Sequence, residues 1–207
     1  MKLYGHPMST CTRKVLTTLA EKGQEAEFVT VDLFTGGNKS PDYTCIQPFG
    51  QVPAIDDDGF VLYESRAICR YLDAKLEGAS LTPSTLQGKA KMEQWLSIET
   101  SNFTPHAMKI IYQMFFGPMR GAEPNMAVVE EGRKALNNTL DIMDKHLATS
   151  TFMVGDQFTI ADISFLPYIE YLFACNEGGP ITNHANVAAW WERCSSRPSW
   201  KKATGKA

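Results

Sequence analysis

The chain has 207 residues, a net charge of −3, 43% hydrophobic residues and 21% charged residues. This balance is typical of a soluble globular protein that is long enough to bury a sizeable core. The acidic net charge argues against nucleic acid as a partner, because nucleic-acid-binding domains usually carry a basic face.

Residues 1–20 lack the apolar core of a secretory signal, and the apolar runs are too short to cross a bilayer. The five cysteines are an odd number without CxxC spacing, which fits reduced thiols. The four histidines are too dispersed for a local metal motif. We therefore expect a cytoplasmic protein with no metal site and no membrane partner.

The first third of the chain alternates strand and helix patterns. Residues 2–5 form a short predicted strand, and a helix with apolar spacing follows from Thr12 to Gly23. Residues 27–31 are rich in β-branched side chains and predict a second strand. This order indicates a parallel β-α-β unit. A long irregular loop with room for one helical turn follows at residues 34–50.

Two further strands and a helix complete the first domain. Residues 52–55 and 60–63 flank Asp58-Gly59, which is a hairpin turn signal. Glu64-Ser65 opens a helix that runs to residue 76. Residues 1–76 are thus predicted as an α/β domain of order β-α-β-α-β-β-α, in which the second helix is the single turn of the loop.

The rest of the chain predicts helices only. Residues 77–87 have the small and polar composition of a linker, and residues 88–207 form an all-helical domain. Its predicted helices are 88–116, 125–147, 160–174 and 185–196. Thr159 and Asp162 form a capping-box pattern at the start of the third of these, with Phe158 and Ile163 as a hydrophobic staple.

Ser9 lies where the first strand gives way to the first helix. The unpaired N–H groups of a helix start carry partial positive charge, which suits an anion. Standing alone, a serine in this place is explained as an ordinary N-cap.

Several short motifs, in order along the chain, extend this interpretation. They are Lys2-Leu3-Tyr4-Gly5 with Met8-Ser9, Pro48-Phe49-Gly50-Gln51-Val52-Pro53-Ala54, Tyr63-Glu64-Ser65-Arg66-Ala67-Ile68, Trp95-Leu96 and Phe158-Thr159-Ile160-Ala161-Asp162. Together they resemble the phi class of the glutathione transferase family over essentially the full chain. The resemblance implies a thioredoxin-like N-terminal domain that binds glutathione as co-substrate, with no permanently bound cofactor. It also implies a helical domain that contributes the hydrophobic substrate site.

By this resemblance, the residues that bind glutathione are Asn38, Lys39, Gln51, Val52, Pro53, Glu64 and Ser65. Lys39 and Gln51 suit the glycyl carboxylate, and Asn38 replaces a histidine that many relatives carry before this lysine. Val52, before an expected cis-proline at Pro53, pairs its backbone with the cysteinyl part of the ligand. Glu64 and Ser65 suit the γ-glutamyl ammonium and carboxylate, although Ser65 is also a natural N-cap residue.

The resemblance gives Ser9 the catalytic role of donating a hydrogen bond to the glutathione sulfur, because such a bond favours the ionised thiol. The activated thiolate conjugates hydrophobic electrophiles, and a serine of this type also permits the reduction of organic hydroperoxides. Two alternatives remain at this point. One is a non-catalytic carrier of glutathione or hydrophobic ligands, and the other is a thiol transferase that uses Cys11.

The second substrate is expected to be a small hydrophobic electrophile, in keeping with xenobiotic conjugation, detoxification and stress response. Its candidate contacts are Met8, Phe34, Tyr112 and Phe116, of which the last two share a face if the segment is α-helical. The resemblance also implies a homodimer with Phe49 and helices 88–145 near the interface.

Overall fold

The computed structural model describes residues 1–206, and the chain divides into two compact units. The N-terminal unit comprises Met1–Leu81 and residues 197–206, and the C-terminal unit comprises Thr82–Ser196. Within residues 1–206, no helix combines the length and the apolar character that a membrane span needs.

The α/β part of the N-terminal unit has the predicted order of elements. These are β1 (Lys2–Gly5), α1 (Thr10–Glu21), β2 (Glu27–Thr30), α2 (Pro41–Thr44), β3 (Ala54–Asp57), β4 (Phe60–Tyr63) and α3 (Ser65–Lys75). The strands form one sheet in the order β2-β1-β3-β4. β1 and β2 are parallel, and the other two pairs are antiparallel. The predicted parallel β-α-β unit and the thioredoxin-like fold are therefore confirmed.

The β3–β4 hairpin turns where the sequence predicts it. Asp58 and Gly59 have φ values of 55° and 93°, and two successive positive φ angles match the twist of a tight hairpin. Asp56 Oδ1 accepts the Gly59 N–H at 2.8 Å and fixes the turn further.

Helices α1 and α3 run parallel against the sheet. Lys22, the C-cap of α1, donates to Asp73 Oδ1 at 3.1 Å near the end of α3. One turn earlier in each helix, Thr18 bonds the Cys69 thiol. Because the two helices meet in the same order along their lengths, their N-termini lie at the same end of the unit.

All other named elements within residues 1–206 are helical, as predicted. The α-helices are α4 (Leu86–Ile98), α5 (Thr104–Ile111), α6 (Met126–Leu147), α7 (Ile160–Ala174), α8 (Gly179–Asn183), α9 (Ala185–Ser195) and α10 (Pro198–Thr204). Short 3₁₀ turns lie at Gly37–Lys39 and Pro118–Arg120, and π-helical turns at Glu99–Phe103 and Tyr112–Phe116 interrupt the predicted helix 88–116. α4 begins inside the expected linker 77–87, because the Thr85 side chain caps it by accepting the Gly88 N–H at 3.0 Å.

The C-terminal segment corrects the predicted domain boundary. Residues 197–206 belong to the N-terminal unit, whereas the prediction placed them in the helical domain 88–207. Arg197 holds the Glu21 carboxylate at the end of α1 with two hydrogen bonds of 2.7 and 2.8 Å, and Ser199 donates to the same carboxylate. Arg197 and Ser199 lie 176 and 178 residues from Glu21, so no local sequence pattern predicts the contact.

The C-terminal unit is centred on α7, whose start is the predicted capping box. Asp162 accepts the Thr159 N–H at 2.9 Å, and the Thr159 side chain caps the helix in return. The same carboxylate accepts the Met153 N–H and the indole N–H of Trp190, both at 2.9 Å. Asp162 is fully buried. Burial raises the pKa of its carboxyl group, and the hydrogen bonds from Met153, Trp190 and Thr159 oppose that rise.

Candidate functional site

Four chain segments meet at one end of the strands. Tyr4 of β1 lies opposite Val29 of β2 on one side and Ala54 of β3 on the other, and Ala54 lies opposite Tyr63 of β4. Strands β1, β2 and β4 therefore finish at this end of the sheet, and β3 begins there. The predicted glutathione-binding segments therefore converge in the N-terminal unit although they are spread over 57 positions, from Ser9 to Ser65.

Ser9 caps α1. Its Oγ accepts the Thr12 N–H at 3.2 Å, as the simplest interpretation of the sequence predicts. A hydroxyl that accepts one hydrogen bond retains its own proton as a donor. Helix α1 has no acidic side chain in its first turn, so the positive end of its dipole is not offset there. The arrangement therefore suits an anion that accepts the Ser9 O–H.

The turn that carries Ser9 is fixed by several short bonds. His6 C=O accepts the Ser9 N–H at 2.9 Å, and His6 Nδ1 accepts the Met8 N–H at 3.2 Å. From α1, Arg13 Nε donates to the Pro7 carbonyl at 2.9 Å. The sequence identified Ser9 but missed these supporting residues, because their partners are backbone groups.

The segment before β3 presents three consecutive carbonyls, of Phe49, Gly50 and Gln51, which we call the carbonyl row. Each accepts one side chain from the irregular loop. In order along the row, the donors are Lys39 Nζ at 2.8 Å, Asn38 Nδ2 at 2.7 Å and Tyr43 Oη at 2.6 Å. Asn38 and Lys39, predicted as ligand contacts, thus hold the protein backbone in this structure. Lys39 has three N–H groups and keeps two of them for a ligand.

The carbonyl row orients the next peptide group. The C=O and N–H of a trans peptide point in opposite directions. The bond from Tyr43 to Gln51 C=O therefore turns the Val52 N–H away from α2. The Val52-Pro53 peptide bond is cis, as predicted. Tyr43 is buried, and burial raises the pKa of its phenol to about 12, so it remains a donor at neutral pH.

Gln51 is fixed from a second direction, since its N–H donates to Gln47 Oε1 at 2.9 Å. The Gln51 side chain itself is exposed. Tyr43 and Gln47 are buried supports that sequence reasoning did not identify. The only signal for them is their place beside Pro48-Phe49-Gly50-Gln51.

Glu64 and Ser65 differ from the prediction in one respect. Ser65 is the first residue of α3, and Glu64 occupies the N-cap position without a capping side-chain bond. Glu64 has φ 73° and ψ 107°. A non-glycine residue with positive φ is uncommon, and such residues cluster at functional sites. Glu64 is exposed and Ser65 is buried at the helix start, so carboxylate and ammonium groups of a ligand have complementary partners here.

The candidate contacts for the hydrophobic substrate fall in both units. In the N-terminal unit, the exposed ring of Phe34 meets the His6 ring edge-on at 5.5 Å, and the Met8 N–H bonds the same imidazole. In the C-terminal unit, Tyr112–Phe116 is a π-helical turn closed by the Gly117 N–H on the Tyr112 carbonyl. The α-helical spacing that the prediction assumed for Tyr112 and Phe116 therefore does not apply. Tyr112 is exposed, and Phe116 packs on Tyr171 at 5.0 Å.

Cys11 is half-buried in the first turn of α1. The five cysteines are all free thiols. Over the described part of the chain, no group of three or more histidine, cysteine, aspartate or glutamate side chains is placed to hold a metal ion.

Comparison with known proteins agrees with the thioredoxin-like and helical parts of the fold. Residues 1–74 match the family model of the glutathione S-transferase N-terminal domain, and residues 103–198 match that of the C-terminal domain. Glutathione S-transferase 3 of Zea mays is 41% identical over 98% of this chain and 92% of its own length. The crystal structure of glutathione transferase F2 from Populus trichocarpa is 38% identical, with a TM-score of 0.95 over 99% of this chain and 97% of that one.

A third similar protein is maize glutathione S-transferase I, whose structure is a complex with an atrazine glutathione conjugate. It is 32% identical, with a TM-score of 0.92 over 99% of this chain and 96% of that one. The relatives include plant phi-class enzymes, in agreement with the sequence motifs. On both domain models and on full-length identity, the chain belongs to the glutathione S-transferase family and is a glutathione-conjugating transferase of phi-class type.

Proposed function

We propose that Ser9 is the catalytic residue and that its O–H donates to the sulfur of bound glutathione. The observation that carries this proposal is the double use of the Ser9 hydroxyl. Its oxygen accepts the Thr12 N–H at 3.2 Å, and its proton is left for a ligand at the positive end of α1. A hydrogen bond to the charged form of a thiol lowers the thiol pKa. Glutathione is then the nucleophile, and Ser9 stabilises it.

The rest of glutathione is bound by the converging segments of the N-terminal unit. The free N–H groups of Lys39 and the side chain of Gln51 receive the glycyl carboxylate, and Asn38 supports this end. The Val52 N–H, oriented by the carbonyl row, and the backbone at Pro53 receive the cysteinyl part. Glu64 and Ser65 receive the γ-glutamyl head at the start of α3, where no acidic side chain occupies the first helical turn.

The second substrate is a small apolar electrophile. The similar maize enzyme was solved in complex with an atrazine glutathione conjugate, which is the kind of product that conjugation to glutathione yields. Met8 and Phe34 are the proposed contacts from the N-terminal unit, and Tyr112 and Phe116 those from the C-terminal unit. Reduction of organic hydroperoxides by the same thiolate is a second proposed activity. Five free thiols fit the reducing cytoplasm, where we place the enzyme.

We also propose that the enzyme is a homodimer. Phe49 is 63% exposed and packs edge-on against Tyr63 at 6.2 Å. In the C-terminal unit, a groove of about 330 Å³ is lined by Ile98, Asn102, His106, Ala135, Asn138, Thr139 and Ile142. Ile142 in this groove is 59% exposed, and a large apolar side chain in such a position is stabilised when a second copy covers it. Sedimentation of wild type and Ile142→Lys tests this interface, and a monomeric wild type contradicts it.

The decisive experiment compares Ser9→Ala with Cys11→Ser. Loss of one hydrogen bond to a charged sulfur costs about 1.5–3 kcal/mol, so Ser9→Ala raises the pKa of the bound thiol by about one to two and slows conjugation at neutral pH about 10- to 100-fold. Cys11→Ser retains conjugation. Full activity in Ser9→Ala together with loss in Cys11→Ser makes the enzyme a thiol transferase. Tight ligand binding without turnover of any electrophile or hydroperoxide makes it a carrier.

A further inference from the structure

His6 holds the turn that carries Ser9 in two ways. Its carbonyl accepts the Ser9 N–H at 2.9 Å, and its ring nitrogen Nδ1 accepts the Met8 N–H at 3.2 Å. The first bond belongs to the backbone and is available to any residue. The second bond needs the imidazole and closes the turn through the His6 side chain. The direction of the Ser9 side chain thus depends on a side chain three residues earlier.

The bond to Met8 fixes the protonation state of the ring. A backbone N–H can only donate, so Nδ1 must carry a lone pair and Nε2 the single ring proton. An imidazolium has no lone pair on either nitrogen and cannot accept this bond. The turn seen here therefore belongs to the neutral form of His6.

The plane of the ring is set by Phe34. The two rings meet edge-on, with centroids 5.5 Å apart and an interplanar angle of 70°. Phe34 is anchored in turn, because its N–H donates to Asp32 Oδ1 at 2.7 Å. The ring of His6 therefore lies between the Phe34 ring and the backbone of Met8, with Nδ1 directed at the Met8 N–H.

Two charged groups bear on this turn from neighbouring elements. Asp32, on the loop after β2, interacts electrostatically with His6, and bonds from the Thr35 side chain and from the Phe34 and Thr35 backbone lower the pKa of its carboxyl group. Asp32 is therefore ionised at neutral pH. Arg13, on α1, bonds the Pro7 carbonyl, so the turn is also held from the helix side.

We propose that His6 is a positioning residue for Ser9, whose Nδ1 bond to Met8 aims the serine hydroxyl at the glutathione thiol. The proposal rests on the role of Ser9 given above.

Two substitutions separate the acceptor from the bulk of the ring. In His6→Asn, the side-chain oxygen accepts the N–H two residues further on, as in an Asx turn, and it does not titrate. In His6→Leu, the apolar volume beside Phe34 is kept and the acceptor is lost. We expect His6→Leu to reduce kcat at pH 8 about fivefold, the value of one neutral hydrogen bond, with an unchanged KM for glutathione. His6→Asn should restore most of this loss.

The ionisation of bound glutathione is the readout that a purely structural role does not change. The ultraviolet absorbance of the bound thiolate should be weakest in His6→Leu and close to the wild-type value in His6→Asn. Thermal unfolding of the three proteins is the control for folding.

The outcomes are distinguishable. A His6→Leu enzyme with the kcat of wild type, or with its thiolate signal, overturns the role of His6 even if Ser9→Ala is impaired. An unimpaired Ser9→Ala overturns the role of Ser9 itself, whatever His6→Leu does. Failure of His6→Asn to restore activity while its thermal stability matches wild type also rejects the acceptor as the cause.

Discussion

Substitution of Gly50 by alanine tests whether the carbonyl row shapes the glutathione site. Gly50 has φ +60°, and an added Cβ would lie 2.6 Å from the Asn38 carbonyl oxygen and 2.7 Å from Lys39 Cδ. A Cβ contact below 3.0 Å does not occur without movement. The Asn38 carbonyl oxygen belongs to the backbone and is harder to move than the Lys39 side chain. The substitution must therefore push the carbonyl row away from the irregular loop that carries Asn38.

The cost has two parts. The left-handed backbone costs a non-glycine residue about 1–2 kcal/mol. Separation of the loop also removes the bonds of Asn38 and Lys39 to the row, each of which contributes about 1 kcal/mol. The second part, about 2 kcal/mol, acts directly on the segment that carries Val52. If glutathione binding loses the whole of this amount, about 2 kcal/mol, the KM for glutathione rises about 30-fold.

Gly23→Ala is the matched control. Gly23 has φ +65°, in the same unit, and an added Cβ meets nothing within 4 Å. Both variants should lose thermal stability, but only Gly50→Ala should show the large rise in KM. Equal effects of the two substitutions on KM would refute the reasoning, because backbone strain alone would then account for them.

Two further predictions concern the C-terminal unit. Both ring nitrogens of His184 face acceptors, Pro180 C=O at 2.6 Å and Asp141 Oδ1 at 3.0 Å; burial lowers the pKa of this histidine, but these bonds raise it overall. Its charged form therefore stabilises the fold below the unfolded-state pKa by at most about 1 kcal/mol, and this stabilisation is lost as the pH rises through the folded-state pKa. Thermal unfolding of wild type and His184→Phe from pH 5 to 9 should show the loss in wild type only. Parallel pH profiles of the two proteins would contradict this prediction. The Asp162 carboxylate accepts four hydrogen bonds, and Asp162→Asn replaces one of its oxygens by an NH₂ group, which cannot accept from the donors that face it. The free energy of unfolding in urea should therefore fall by about 3 kcal/mol. A loss below about 1 kcal/mol would show that these bonds contribute little.

The local patterns of the sequence predicted the fold well where the physics is local. Asp58-Gly59 gave the hairpin because two positive φ angles restrict the residue choice. Thr159 and Asp162 gave the start of α7 because a capping box needs both at a spacing of three. The candidate glutathione-binding segments were predicted through resemblance, and the register of β1, β3 and β4 explains why they converge.

Contacts between distant segments were not predictable in this way. Arg197 meets Glu21 across 176 residues, which moves the C-terminal segment to the other unit. Ser65 is a residue type that often caps helices, yet here Glu64, with its positive φ, occupies the N-cap position. Helix α3 therefore starts at Ser65, one residue earlier than it would if Ser65 were the cap. Tyr43 and His6 were missed because they bind backbone groups, and a bond to a carbonyl or an N–H leaves no partner residue type in the sequence.

These bonds to the backbone explain how one hydroxyl can serve both as the observed cap and in the proposed donor role. The sequence offers an N-cap and a thiol donor as competing explanations of Ser9. In the structure, the Thr12 N–H occupies a lone pair of Ser9 Oγ, and that bond limits the directions in which the remaining proton can point. The cap is therefore a condition of the donor role, since an uncapped serine would rotate among its rotamers and lose entropy on meeting the thiolate. The same logic applies to the carbonyl row, where side chains are used to fix the peptide that meets the ligand.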